Sequence, residues 1–339
     1  MKKRLLAMLL TGALCASMAA CSSDGGTTTD DGTTTDDGSS ADSSYSVDVI
    51  LKTTASEYWQ YVMAGAEAYE TEHPEISVEV KGASSETAYD EQQNMIETDL
   101  NSGAYDAFVI APLQADLVTT MIAGQTAPII AVDTNIDAPE VLSFVGTGNE
   151  EAAAEGGKAA VEAAKAAGWA DDQLTAIAIS GVQGDSTAEA RLAGYQKGVE
   201  EAGGTFLADE IQYANAVADQ AATSMEAIMQ NHPDGVAMIL CNNDDMAMAA
   251  ARAASGNAAY ENTIFVGFDG IQSACNAILN GEETMSVAQE AYDMGYMAVD
   301  AAVRALNGET LEEFIDSGVS IITADNAQER LDQLQSYLG

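Results

Sequence analysis

Basic residues are scarce: 12 lysines and arginines stand against 54 aspartates and glutamates in 339 residues, a formal net charge of −42. Like-charge repulsion then excludes nucleic acid as a partner and makes an anionic headgroup surface a poor one. Histidine is rarer still. His73 and His232 are the only two, in the related stretches Glu-His-Pro-Glu and Asn-His-Pro-Asp, where the proline forbids further helix. Neither has a nucleophile or a second metal ligand nearby, so no histidine-based catalysis, metal site or cofactor is expected. Cysteine is too sparse for a disulfide framework. Two of the four lie within the first 21 residues, and Cys241 and Cys275 fit no CxxC or zinc spacing, so they are expected as buried free thiols. What is abundant is apolar residue, at 47%, which argues against disorder and suffices for about two domains with real cores.

The first residues, Met1-Lys2-Lys3-Arg4, an apolar run from Leu5 to Leu14, and small residues up to Ala20, compose an export signal. The run is shorter than the roughly 20 residues of a permanent span. Ala19-Ala20-Cys21 resembles the lipobox of bacterial lipoproteins, although Met18 replaces the usual leucine. The resemblance implies removal of residues 1–20, lipidation of Cys21, and a membrane attachment through that lipid only. Residues 21–45 are rich in Thr, Asp and Gly and have nothing to bury, so a flexible tether is expected. Loss of residues 1–20 removes three basic and no acidic residues, leaving 9 against 54.

Beyond the tether, short β-rich runs alternate with Ala-rich amphipathic stretches. Strands are expected at 47–52, 76–81, 107–111, 128–132, 144–146, 174–180, 235–240, 264–268 and 285–288. Helices are expected at 57–72, 88–102, 149–167, 187–202, 218–231, 244–254, 271–280 and 292–306, many ending at a glycine that tolerates a left-handed cap. Most of the strand runs are continuously apolar, as parallel strands covered on both faces require. The fold class is α/β, built from doubly wound parallel sheets. Enzyme motifs fail in detail. After Gly146-Thr147-Gly148, Glu151 stands where a dinucleotide fingerprint needs glycine, and Gly157-Lys158 is followed by Ala159 instead of Ser or Thr. No Gly-x-Ser-x-Gly elbow occurs.

Ligands of open α/β sheets bind beyond the carboxyl ends of the strands. Those ends carry Thr53 to Trp59, Asp133-Thr134-Asn135, a glycine-rich loop leading to Arg191, Asn242-Asn243-Asp244, Asp269-Gly270 and Gln289. Carboxylates, amides and a guanidinium pair with vicinal hydroxyls, and an aromatic face packs on the C–H side of a ring, a set suited to a neutral polyol. Tyr105 to Pro112, Ala131 to Asn135, Asn243 to Met248, Val266 to Gly270 and Val287-Ala288-Gln289, in that order, resemble the ribose- and galactose-type sugar-binding proteins of ABC importers.

This resemblance implies two lobes (46–147 with 290–318, and 148–289 with 319–339) joined by three crossovers near 146–149, 289–291 and 318–321. It implies a monomeric, extracytoplasmic, lipid-anchored, non-enzymatic binder that takes a monosaccharide or related polyol between its lobes and delivers it to the transmembrane subunits of an ABC permease. A sugar or signal-molecule sensor on the same fold is the alternative, and a secreted hydrolase the remote one. By resemblance, Tyr58 and Trp59 are the first-lobe aromatics, Asp133 the first-lobe carboxylate, Arg191 the second-lobe guanidinium, and Asn243, Asp269 and Gln289 the second-lobe and hinge hydrogen bonders. Thr134 stands where many relatives carry arginine, and Tyr213-Ala214-Asn215-Ala216 lacks an aromatic often found there; both argue against ribose itself. Each site residue has a competing structural role: Trp59 as core, Arg191 as the partner of a surface acid behind a Ser186-Thr187-Ala188-Glu189 capping box, Asp269 as a helix cap. Asp244 and Asp245 are expected to cap the next helix.

Overall fold

The structure is a computed structural model and describes residues 44–338. Cys21, the leader and nearly all of the tether lie outside the described residues. Tyr45, placed at the tether's end, already opens a strand.

In chain order the elements are β1 (Tyr45–Thr53), α1 (Glu57–Glu72), β2 (Ile76–Ala83), α2 (Tyr89–Ser102), β3 (Ala107–Ile110), α3 (Ala115–Met121), β4 (Ile129–Val132), β5 (Val141–Gly146), α4 (Asn149–Ala166), β6 (Thr175–Ser180), α5 (Ser186–Glu201), β7 (Thr205–Phe206), β8 (Gln212–Tyr213), α6 (Ala218–Asn231), β9 (Met238–Cys241), α7 (Asp244–Ala254), β10 (Ile264–Asp269), α8 (Gln272–Leu279), β11 (Met285–Gln289), α9 (Ala291–Leu306), β12 (Phe314–Asp316), β13 (Val319–Ile322) and α10 (Ala327–Leu338). They form two sheets. The first runs β2-β1-β3-β4-β5-β12 with all neighbours parallel. The second runs β7-β6-β9-β10-β11-β13, with β8 also on β6, and only β13 is antiparallel. The expected α/β class with doubly wound parallel sheets is what the chain adopts.

Continuous apolar strands follow from cover on both faces. In β1, Val47, Val49 and Leu51 join the core under α1 and α9, whereas Ile50 joins Ile96, Val118 and Ile122 on the other face. In β6, Ala176 and Ala178 enter one core and Ile177 and Ile179 the opposite one. This is the period-two alternation of a strand buried on both faces; in β1 the Ile50 face also carries the buried Asp48, which Lys81 meets at 3.0 Å.

Glycine sets how closely the covering helices approach. A Cβ on Gly65 of α1 would lie 1.9 Å from the carbonyl oxygen of Tyr292 in α9, and one on Gly295 would lie 1.9 Å from that of Val62. Replacement of Gly295 by alanine must push the pair apart and is expected to cost about 1–3 kcal/mol, measurable by urea unfolding.

Several expectations are corrected by the structure. Strand β9 starts at Met238, not 235, because Gly235 has φ +97° and turns the chain. Helices α3 and α10 and strands β7, β8 and β12 add to those expected, and β13 lies where the third crossover is expected, near 318–321; the added strands are two to three residues long, too short for a periodic signal. Helix α5 is capped by Asp185, which accepts the N–H of Ala188, and not by a Ser186 box. Asn243, not Asp244 or Asp245, caps α7 by accepting the N–H of Met246. The five glycines expected to end helices, Gly103, Gly168, Gly203, Gly281 and Gly308, all have positive φ. Cys241 and Cys275 are buried and free.

The chain passes between the sheets three times: after Gly146, after Gln289, and between Asp316 and Val319. The crossings are tied together. Ser317 N–H donates to the carbonyl of Gly146, and Gln289 pairs with Val319. Arg330 of α10 straps them from behind, donating to the carbonyls of Gln289 and Gly270 and to Glu290 Oε2.

Candidate functional site

The carboxyl ends of both sheets open on one cavity of about 60 Å³. From the first sheet come Lys52, Tyr58, Trp59, Glu86 and Asp133; from the second, Asp185, Thr187, Arg191, Asn242, Asn243, Met246 and Asp269, with Gly181, Val182, Ala188 and Ala216 between them. Six of the seven side chains singled out in the sequence are thus neighbours in space. Gln289 does not line the cavity; it stands behind it and donates Nε2–H to Asp269 Oδ1 at 2.8 Å.

The two carboxylates sit on unusual backbone. Asp133 has φ +63° and Asp269 φ +115°, and with Asn215 and Ala216 they are the non-glycine residues of positive φ among the described residues. Such geometry costs of order 1–3 kcal/mol apiece and persists where the surroundings enforce it. Asp133 is held by the phenol of Tyr58, donating to Oδ1 at 2.8 Å, and by Thr134 Oγ1–H, donating to Oδ2 at 2.8 Å. Burial first, then the charge of Asp133, pushes the Tyr58 phenol well above its ordinary pKa, so it remains a donor. Asp269 is held by the turn that follows it. Asp244 accepts the N–H of Ile271 at 2.9 Å and the hydroxyl of Ser286 at 2.5 Å, and Ser286 Oγ accepts the N–H of Gly270. Gly270 has φ +66°, and a Cβ there would collide with Ala288 at 2.2 Å, so only glycine fits. Asp269 therefore does not cap α8; its carboxyl faces Gln289 and Arg191.

Arg191 is buried, which overturns its reading as the partner of a surface acid. Its Nε–H donates to Asn149 Oδ1 at 2.8 Å and Nη1–H to the Asn242 carbonyl at 2.6 Å, its plane lies 3.8 Å over the Phe268 ring, and Nη1 is 3.5 Å from Asp269 Oδ1. Burial pushes the Asp269 carboxyl well above the usual range, with Arg191 opposing. Trp59 is both core and wall: it is 3% exposed, meets Tyr58 edge-on at 5.1 Å, and donates its indole N–H to Glu86 Oε1 at 3.1 Å.

The sequence reading missed Lys52, Glu86 and Asp185. Lys52 stands next to the end of β1, where its charge directly after Val49-Ile50-Leu51 is a visible signal, and Glu86 follows the carboxyl end of β2. Burial alone would lower Lys52, but Asp185, Asp133 and Glu86 hold it above its ordinary pKa. Asp185 is pushed up by burial but held below its ordinary value overall by Lys52 and the Ala188 N–H, whereas burial raises Glu86 against the pull of Lys52.

Both histidines stay outside the cavity, His73 stacked on Tyr69 and His232 with Nε2 2.6 Å from Glu210 Oε2. A larger groove of about 810 Å³ lies by Tyr260, Ile264, Phe265 and Thr284, at the amino ends of β10 and β11. Size does not decide between them; the smaller cavity is the one beyond the carboxyl ends, where polar groups converge.

Comparison with known proteins agrees with this architecture. Residues 47–310 match the periplasmic binding protein domain. The D-ribose/D-allose-binding protein of Pseudomonas aeruginosa is 28% identical over 298 residues, 82% of this chain and 88% of that protein. The D-allose-binding periplasmic protein of Escherichia coli is 29% identical over 265 residues, 76% and 83% of the two chains. A carbohydrate transporter solute binding protein from Agrobacterium radiobacter, solved in complex with D-arabinose, superposes with a TM-score of 0.76 at 23% identity, covering 87% of this chain and 99% of that one. This chain belongs to the periplasmic binding protein domain family.

Proposed function

We propose that this protein is an extracytoplasmic solute-binding protein that captures a monosaccharide or related neutral polyol in the cleft and delivers it to the transmembrane subunits of an ABC importer. The observation that carries this reading is the convergence of Trp59 and Asp133 from one lobe with Arg191 and Asp269 from the other on a single cavity. At roughly 10–15 Å³ per water, it accommodates about four to six waters, the displacement of one small ring. Lys52 is already paired with Asp185, and Arg191 is committed to Asn149, the Asn242 carbonyl and, at 3.5 Å, Asp269, so a sugar acid or sugar phosphate finds no uncommitted counter-charge. No covalent step is needed. Ligand contacts from both lobes exist together only when the lobes are closed, so the ligand shifts the population toward closure, and the permease reads the closed form. The names of the relatives, with their ribose, allose and arabinose, support a carbohydrate ligand.

The lobe limits assigned to this mechanism are 46–147 with 290–318 and 148–289 with 319–339, in keeping with the three crossings between sheets. The tether from Cys21 and a lipid on that cysteine would hold a monomer at the outer face of the cell membrane. Among the described residues no helix is long and apolar enough to cross it.

Isothermal titration calorimetry over a panel of aldopentoses, aldohexoses and cyclitols tests the reading. One member should bind at micromolar affinity or tighter with a stoichiometry of one; a panel that gives neither heat nor a rise in melting temperature overturns the ligand class.

A further inference from the structure

Helix α10 lies beyond residues 47–310, the stretch that matches the family. Ala327, Arg330, Leu331 and Leu334 form its buried stripe, at the i, i+3, i+4, i+7 spacing of a helix face laid on a core, with a guanidinium set among the apolar side chains. Arg330 is 4% exposed, and an arginine is almost never so buried unless paired. Glu290 provides the pair, with Oε2 2.6 Å from Nη1. The other two nitrogens are committed to backbone: Nε–H donates to the Gly270 carbonyl at 3.2 Å and Nη2–H to the Gln289 carbonyl. Those two residues hold Asp269. Gly270 follows it in the chain, with its N–H on Ser286 Oγ, and the Gln289 side chain donates to Asp269 Oδ1 at 2.8 Å. The helix is fixed at both ends. Asn326 Oδ1 accepts the Thr323 N–H at 2.8 Å and Asn326 Nδ2–H donates to the Ile321 carbonyl, while Tyr337 stacks on Tyr292 of α9 at 4.0 Å.

We propose that Arg330 is a positioning residue of the cavity: its planar fork fixes the backbone of Gly270 and Gln289 together and so aims the Asp269 carboxyl at the ligand. Arg330 does not itself line the cavity. Asp269 holds φ +115°, a conformation that persists only where the surroundings over-determine it, and the fork is a constraint supplied from outside the cleft. The role of Arg330 rests on the reading of the cavity as a polyol site and adds to it a residue that no sugar touches. Lysine in its place keeps the charge opposite Glu290 but has no fixed set of N–H directions with which to hold two carbonyls at once.

The test uses the parent chain, Arg330→Lys, Arg330→Gln and Glu290→Gln, with calorimetry of the tightest sugar of the panel and a thermal melt of each protein. Arg330→Lys should weaken binding about tenfold and Arg330→Gln more, as loss of hydrogen bonds from a charged group does. Glu290→Gln keeps an acceptor for Nη1 and leaves the fork on both carbonyls, so it should lower the melting temperature yet bind as the parent does. Two double-mutant cycles locate the effect. Gln289→Met also releases Asp269, so its combination with Arg330→Lys should bind little more weakly than the weaker single variant. Tyr58→Phe releases Asp133 in the other lobe, so its loss should multiply with that of Arg330→Lys. If Arg330→Gln does not fold, Arg330→Lys carries the test. Affinity that tracks melting temperature across Arg330→Lys and Glu290→Gln, or losses that multiply in both cycles, makes Arg330 a staple of the fold and overturns the positioning role. An Arg330→Lys chain that binds like the parent overturns it too, and each of these results leaves the sugar site standing. A parent that binds no sugar overturns the site and the positioning role together.

Discussion

Arg191→Ala is expected to abolish sugar binding and to lower the stability of the ligand-free chain by about 3–5 kcal/mol, the range found when one member of a buried ionic pair is removed. The guanidinium supports three things at once: it bridges Asn149 to the Asn242 carbonyl, covers the Phe268 ring, and is the cation facing Asp269. Alanine leaves Asn149 Oδ1 and the Asn242 carbonyl without these donors, and Asp269, already pushed up by burial, is pushed further. Arg191→Lys keeps a charge but not the planar fork, so it should recover part of the stability and little of the affinity. Urea unfolding reads the first effect and calorimetry the second. Unchanged affinity in Arg191→Ala would remove the second lobe from the site.

Stability should fall as pH rises from 4 to 7, and Asp244→Asn should flatten that fall. Asp244 and Glu283 both lie over Gly267, where a Cβ would meet Asp244 Oδ1 at 2.1 Å and Glu283 Oε1 at 2.3 Å. Burial raises Asp244 to about 7, helped by Asp245 and opposed by the Ser286 hydroxyl and the Ile271 N–H; burial and then Asp244 push Glu283 well up, with Arg252 opposing. The folded chain thus holds protons that the unfolded chain has released. A carboxyl whose folded pKa is raised contributes stability that is fully present below its unfolded value and is lost as pH climbs through the folded one. From an ordinary 3.8 to about 7, this amounts to about 4 kcal/mol for a single carboxyl at 1.36 kcal/mol per unit of pKa. Asn removes the charge and keeps one acceptor, its amide oxygen for the Ile271 N–H, while its NH2 donates to Ser286 Oγ in place of accepting from it, so above pH 7 the variant should be more stable than the parent. Thermal melts from pH 4 to 8 check this; a parent whose stability is flat or rises across that window contradicts it. Because the Asp244–Ser286 pair braces the turn after Asp269, the parent's affinity should also weaken toward high pH.

The main elements were legible because parallel strands buried on both faces, such as Ala107–Ile110 and Ile129–Val132, leave unbroken apolar runs, and glycine marks helix ends. The carboxyl-end rule found most of the cavity for a similar reason: it asks only which residue follows a strand. It missed Glu86 because the loop after β2 has no family motif, and Asp185 because a cap residue and a cleft residue look alike in sequence. Lys52 reads as the last residue of a strand, although a lysine directly after Val49-Ile50-Leu51 signals that something charged awaits it. The exchange of roles between Asn243 and Asp244 was not readable at all. Either side chain is a good cap, and the choice is set by Ser286 and Ile271, dozens of residues away, which claim Asp244 for the interior.

The central claim is that side chains from both lobes grip one hydroxylated ring. A crystal structure of the chain grown with the tightest sugar of the panel tests it most directly. The ring should lie against Trp59, with hydroxyl oxygens at about 2.7–3.2 Å from Asp133, Arg191 and Asp269. A sugar bound in the outer groove of the second lobe, or touching one lobe only, would contradict the account.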